Sequence, residues 1–159
     1  MTTTQTHTEL LAWQDRWSEP TLDELLADLT AQQRRSIKKL MAKIADLNPI
    51  HQDLVWYGPS WKWTIRFMLD AQPPEDDSQV LCYIVPSIEQ PLACVPLADP
   101  VIETLPMRRL SKYIREGIRS AKRAVEISWA SWSFQTDSEA NLISDLVRRK
   151  HQALIADAN

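Results

Sequence analysis

Two glycines, Gly58 and Gly117, are all that this chain of 159 residues contains. Phosphate-cradling loops need several glycines close together, for close backbone approach and for positive φ. That scarcity excludes dinucleotide-binding and P-loop chemistry. Cysteine is equally sparse: Cys82 and Cys94 are the only two, and they form no Cys-x-x-Cys pair. Two are too few for the disulfide framework of a secreted mini-protein, so the expected compartment is a reducing cytoplasm. The three histidines, at positions 7, 51 and 151, have no His or Cys partner two to four residues away, which leaves zinc or haem ligation without a pattern. No apolar run approaches the roughly 20 residues needed to cross a bilayer, and the threonine-rich start carries no secretory signal pattern. Neither a membrane nor a cofactor is expected.

The chain is 44% hydrophobic, enough for one well-buried core and short for two. The expected division is an N-terminal arm over 1–18, frayed before Glu9, one domain over 19–154, and a tail over 155–159. In the arm, Leu10, Leu11, Trp13 and Trp17 are spaced for a short helix or a docking segment. The clearest signal is the strict alternation from Trp61 to Asp70, which predicts a half-buried strand. Trp61, Trp63, Ile65, Phe67 and Leu69 would face a core, and Lys62, Thr64, Arg66, Met68 and Asp70 water or a ligand.

Capping boxes at Thr21–Glu24 and Thr30–Gln33 predict helices over 22–29 and from 31 to the stop at Asn48-Pro49. Leu54–Tyr57 reads as a strand, joined to the Trp61 strand by the turn Gly58-Pro59-Ser60. The acidic stretch 71–78 reads as a solvated, mobile loop. Residues 79–85 and 92–97 read as a hairpin centred on Ile88, which would make Cys82 and Cys94 cross-strand neighbours, close enough for a disulfide or packed as two small buried thiols, with the reduced pair expected in a reducing compartment. A connector with one helical turn follows over 99–106. Met107–Ala124 then reads as an amphipathic helix with Leu110, Ile114, Ile118 and Ala121 inward.

Arg108, Lys112, Arg115, Arg119 and Lys122 would form one cationic stripe on that helix. The segment 107–123 holds seven basic residues and one acid, net +6, which leaves 11 basic and 20 acidic residues in the rest of the chain, net −9. A strand starts at Val125. Its apolar parity switches between Trp129 and Trp132, which predicts a bulge near Ala130-Ser131. Thr136–Glu139 caps a closing helix, with Leu142, Ile143, Leu146, Val147 and Leu154 inward and Arg148, Arg149 and Lys150 as solvated cations.

The order α-α-β-β-β-β-α-β-α describes a single α+β domain, a mainly antiparallel sheet of about five strands backed by helices. Glu19-Pro20-Thr21-x-x-Glu24-Leu25, Trp61-x-Trp63, Tyr83-x-x-Pro86 and Asp137-x-x-x-x-Leu142-x-x-Leu146 are the residues on which the chain resembles the bacterial domain-of-unknown-function family 3788, over about 19–150. The resemblance implies a curved antiparallel sheet with helices behind it. It also implies kinship with frataxin-like iron chaperones.

The seven tryptophans read as core, because Trp61 and Trp63 share parity with Ile65 and Phe67, rather than as an exposed stacking platform. Asp23, Glu24 and Asp28, like Glu75, Asp76 and Asp77, read as partners of helix dipoles and water rather than as oxygen ligands for a cation. An acid-base pairing of Lys62, Thr64 and Arg66 with Glu126 and Ser128 would need all five on one sheet face. The function expected is a non-enzymatic binding or regulatory domain. Its partner would be an anionic small molecule or an acidic protein surface, held by Lys62, Arg66, Arg108, Lys112, Arg115, Arg119 and Lys122. Nucleic acid is not expected at a pI near 5.6. The expected assembly is a monomer or a homodimer. The rival is metal or iron handling, or an enzyme working on the polar sheet face.

Overall fold

The computed structural model describes residues 10–158, so the expected fraying before Glu9 lies outside the described residues. The fold is α+β: six antiparallel strands, β1 (His51–Trp56), β2 (Trp63–Met68), β3 (Val80–Val85), β4 (Leu92–Ala98), β5 (Lys122–Ala124) and β6 (Ile127–Ser133), in the order β1-β2-β3-β4-β6-β5. The helices are α1 (Leu22–Ala27), α2 (Ala31–Ala45), the single turn α3 (Gly58–Trp61), α4 (Asp99–Thr104), α5 (Lys112–Arg119) and α6 (Asp137–Ala158). Thr21, Thr30 and Thr136 cap α1, α2 and α6 as their spacing predicts, each accepting from a backbone N–H three residues on. Helix α6 continues through Ala158, so 155–158 belong to it rather than to a tail.

Ile37, Leu40 and Ile44 of α2 and Ile143, Leu146 and Val147 of α6 bury against one sheet face, where Trp63, Ile65, Phe67, Ile84, Ala93, Val95, Ala130 and Trp132 meet them. Burial of this continuous apolar layer is the main driving force of the fold. The arm docks onto it: Trp13 Nε1–H donates to the Trp61 carbonyl at 2.8 Å, and Trp63 Nε1–H to that of Asp15 at 2.7 Å.

Several expectations are corrected. The Trp61 strand begins at Trp63, because Gly58–Trp61 closes a helical turn and Lys62 takes φ 58°, out of extended geometry. Its second face meets water only in part: Thr64 and Met68 are fully buried, while Lys62 and Arg66 are half-buried and Asp70 is exposed. The hairpin of β3 and β4 pairs Tyr83 with Cys94, one residue out of the symmetric register about Ile88. One step of register inverts the facing of a side chain, so Cys82 points to the helices and Cys94 to the opposite face, both as free thiols.

Strand β6 pairs with β4 without interruption from Ser133 to Ile127, so the predicted bulge near Ala130 is absent. The irregularity lies at Phe67/Met68 opposite Cys82 and Val80 instead. The predicted helix 107–124 shrinks to the eight residues of α5. Ser111 caps its start by accepting from the Ile114 N–H, and Lys122 leaves it to pair with Trp129. The hairpin of β5 and β6 turns on Val125 and Glu126, at φ 51° and 64°. The sheet therefore has six strands rather than five.

Candidate ligand site on the sheet face

The ladder registers place Asp53, Arg66, Tyr83, Cys94 and Ser131 in one row across the face that α2 and α6 leave uncovered. At one end, Arg66 donates twice to Asp53, at 2.9 and 2.6 Å. This bidentate pairing and the nearby Asp53 charge hold the guanidinium in its charged form. At the centre, the Tyr83 hydroxyl donates to Asp77 Oδ1 at 2.7 Å, and the residue is only 1% exposed.

What covers Tyr83 is aromatic. Its ring lies 4.9 Å from Tyr57, 5.6 Å from Trp61 and 6.4 Å from Trp129, the last nearly parallel at 24°. Tyr57 also meets Trp61 at 4.8 Å and Trp129 at 6.5 Å. With Met68, Val80 and Cys94 these rings form a second apolar cluster on the far side of the sheet from the main core. Tyr57, Trp61 and Trp129 remain half-buried, so the cluster presents aromatic faces and edges to solvent.

Beside the quartet lies a cleft of about 320 Å³, walled by Trp61 and Trp129, floored by Leu92 and Cys94, and rimmed by Ser120, Ser131 and Lys122. Its far wall is the end of α5. Gly117 lets α5 approach, since a Cβ there would fall 2.1 Å from Trp132 Nε1. Tyr113 of α5 donates its hydroxyl to the Ser133 carbonyl at 2.7 Å, which seats the helix against β6 beyond the short β5. Such a volume is at the small end of ligand pockets.

Burial, and then Asp77, raises both Tyr57 and Tyr83 above the usual phenol range, so both stay neutral proton donors near pH 7. Burial pushes the Cys94 thiol up to about 12 and raises Cys82 further, which keeps thiolate scarce.

The predicted site residues scatter. Arg66 and Lys122 stand on this face, with three strands between their own. Lys62 donates to the Pro59 carbonyl at 3.0 Å and sits 4.8 Å over the Trp13 ring. Arg108 lies in the turn after Pro106, while Lys112, Arg115 and Arg119 lie on α5, where Lys112 reaches Glu116 at 3.7 Å. The five-cation stripe therefore does not form. The postulated acid-base group does not assemble either: Arg66 is taken by Asp53, the Thr64 hydroxyl donates to the Lys62 carbonyl at 3.2 Å, Ser128 has the parity of the helix-covered face, and Glu126 lies in the β-turn.

Sequence reasoning assigns none of Tyr57, Tyr83, Asp53, Asp77 and Trp129 to a ligand site: it weighs Asp77 only as a cation ligand, Tyr83 only as a motif residue and Trp129 only as core. The one available signal was Trp129, whose parity conflicts with that of Trp132. Lys150, expected as a solvated cation, is fully buried.

Among the described residues, no group of three or more His, Cys, Asp or Glu side chains is placed to hold a metal ion, and no helix is long and apolar enough to cross a membrane. Comparison with protein-family models, with curated proteins and with solved structures finds no match to this chain.

Proposed function

We propose that this chain is a non-enzymatic binding domain that holds a small, flat, anionic molecule in the sheet-face cleft between Trp61 and Trp129. The observation that carries this reading is the aromatic quartet on the sheet face opposite the α2 and α6 layer, in which Tyr57, Trp61 and Trp129 stay half-buried over Tyr83 and Trp61 and Trp129 wall a cleft. A planar ligand gains stacking on exposed rings, of the order of 1–3 kcal/mol per ring for bases. The counter-charge is Lys122, which makes no salt bridge among the described residues and rims the cleft. Ser131 adds a hydroxyl donor, whereas the Ser120 hydroxyl already donates to the Glu116 carbonyl at 2.7 Å. Arg66, already satisfied by Asp53, stiffens the floor rather than meeting the ligand.

The family resemblance carries a rival proposal, metal handling of the frataxin-like kind. Native mass spectrometry with metal analysis of freshly purified protein separates the two. The binding reading expects an organic mass that is retained by the native chain and weakened in Trp129→Ala and Lys122→Gln. A stoichiometric metal with no organic mass, unaffected by those substitutions, supports the rival instead.

A further inference from the structure

Lys150 enters the protein from α6 and is fully buried, although the residues before it, Arg148 and Arg149, lie at the surface on Asp145. Its Nζ donates to two backbone carbonyls, those of Val80 at the start of β3 and Pro96 in β4. The pairing of these strands runs from Val85/Leu92 to Tyr83/Cys94, and Pro96 has no N–H to give. The lysine therefore bridges two strands where their own ladder has stopped.

The titratable groups around Nζ are Cys82 of β3, Cys94 of β4, and Asp76 and Asp77 of the turn before β3. Neither carboxylate is its hydrogen-bond partner: Asp76 caps the Ser78 N–H at 2.9 Å and Asp77 accepts from Tyr83. With only two neutral carbonyls bonded to it, a charged ammonium at this buried position has no counter-ion in contact.

Both anchors lead to the sheet-face cluster. The Val80 N–H donates to the Asp77 carbonyl, closing the 3-10 turn Asp77–Gln79, and the Asp77 carboxylate holds the Tyr83 hydroxyl. Pro96 stands directly across the ladder from Trp129. One chain of bonded neighbours thus runs from the amine through Val80 and Asp77 to Tyr83, while Pro96 meets Trp129 only as a side-by-side ladder neighbour, without a hydrogen bond between them.

We propose that Lys150 is a proton-operated latch on the sheet-face site: as a neutral amine it ties β3 to β4 and fixes Tyr83 and Trp129, and its protonation loosens both. This rests on the binding role assigned above to that face. The sign is consistent with its surroundings, because burial lowers Lys150 to about 7. The unfolded chain then binds more protons than the folded one from about pH 7 to about 10.5, so the latch contribution to stability is gained as pH rises through that window and lost below it.

Three measurements test the proposal. In protein with 13C-labelled lysine, the Lys150 Cε signal should titrate near pH 7, and an amine still charged at pH 9 overturns the latch. The unfolding constant of the native chain should fall about 50-fold relative to Lys150→Met between pH 7 and 9. A ratio independent of pH overturns it, and His151→Gln in both backgrounds removes the neighbouring imidazole from the comparison. With 13C-labelled tyrosine, Tyr57 and Tyr83 should follow the Lys150 midpoint while Tyr113 on α5 stays still, and Asp77→Asn should uncouple Tyr83. If Lys150 titrates and Tyr83 does not follow, the coupling is refuted. None of these needs a ligand, so failure to bind any anion refutes the binding role and leaves the latch standing.

Discussion

Gly117→Ala sets two effects of opposite sign against each other. Alanine in the middle of an eight-residue helix gains about 1 kcal/mol of propensity over glycine. The new Cβ would arrive 2.1 Å from Trp132 Nε1, 2.2 Å from Cε2 and 2.6 Å from Cζ2, where contact distances are about 3.5–4.0 Å. Helix or ring must move by roughly 1.5 Å, an overpacking cost of about 1–3 kcal/mol. The ring is not free to yield, because Trp132 Nε1–H donates to the Tyr113 carbonyl at 2.9 Å and the residue is 4% exposed. Breaking that bond in a buried setting adds about 1–3 kcal/mol. The clash wins, and a net loss of about 2–4 kcal/mol is expected. Equilibrium urea unfolding followed by tryptophan fluorescence reads it directly. A variant as stable as the native chain, or more so, would mean that α5 does not seat on Trp132 and that the cleft lacks the wall described.

Trp63→Ala should cost about 3–5 kcal/mol, since it empties a core position and strips the Asp15 carbonyl of its donor, whereas Lys62→Gly should stabilise by a few tenths to about 1 kcal/mol by relieving φ 58°. Thermal denaturation of the two variants checks both signs. Gly58→Ala should destabilise by about 1 kcal/mol although nothing lies within 4 Å of the new Cβ, because φ is +88° there. Asp53→Asn should cost about 1–3 kcal/mol by halving the Arg66 clamp, read by urea titration at low and high salt. Above pH 10 the unfolded chain ionises tyrosines that Tyr57, Tyr83 and Tyr113 keep neutral when folded. Stability should therefore fall as pH rises from 10 to 11, with phenolate absorbance appearing together with unfolding.

Helices α1, α2 and α6 and most strands were legible because capping boxes and alternation act within a few residues of sequence. Thr21, Thr30 and Thr136 signal their own caps. What could not be read depends on pairing between distant segments. The Tyr83–Cys94 register, one step from symmetry, decides which sulfur faces which layer, and no local pattern encodes that step. The same holds for Lys122, whose place on an edge strand is set by Trp129 and whose charge pattern continues that of α5.

Alternation was misleading where both faces of the sheet are buried. Met68 and Thr64 occupy the phase of a solvated face, yet aromatic residues from other segments cover it. Lys150 was the least legible of all. It follows two surface arginines, and only the gap beside Pro96 makes a buried amine tenable there.

The central claim is that ligands bind at Trp61 and Trp129, and it is tested most directly by two-dimensional NMR of 15N-labelled protein titrated with benzoate, indole-3-acetate and AMP. The account predicts saturable shifts of the Trp61 and Trp129 indole N–H signals and of the Cys94 and Ser131 amides. These should weaken with salt and in Lys122→Gln, while the Trp132 indole stays unmoved. Shifts gathered instead along Lys112, Arg115 and Arg119, or no saturable shift with any of the three anions, would contradict it.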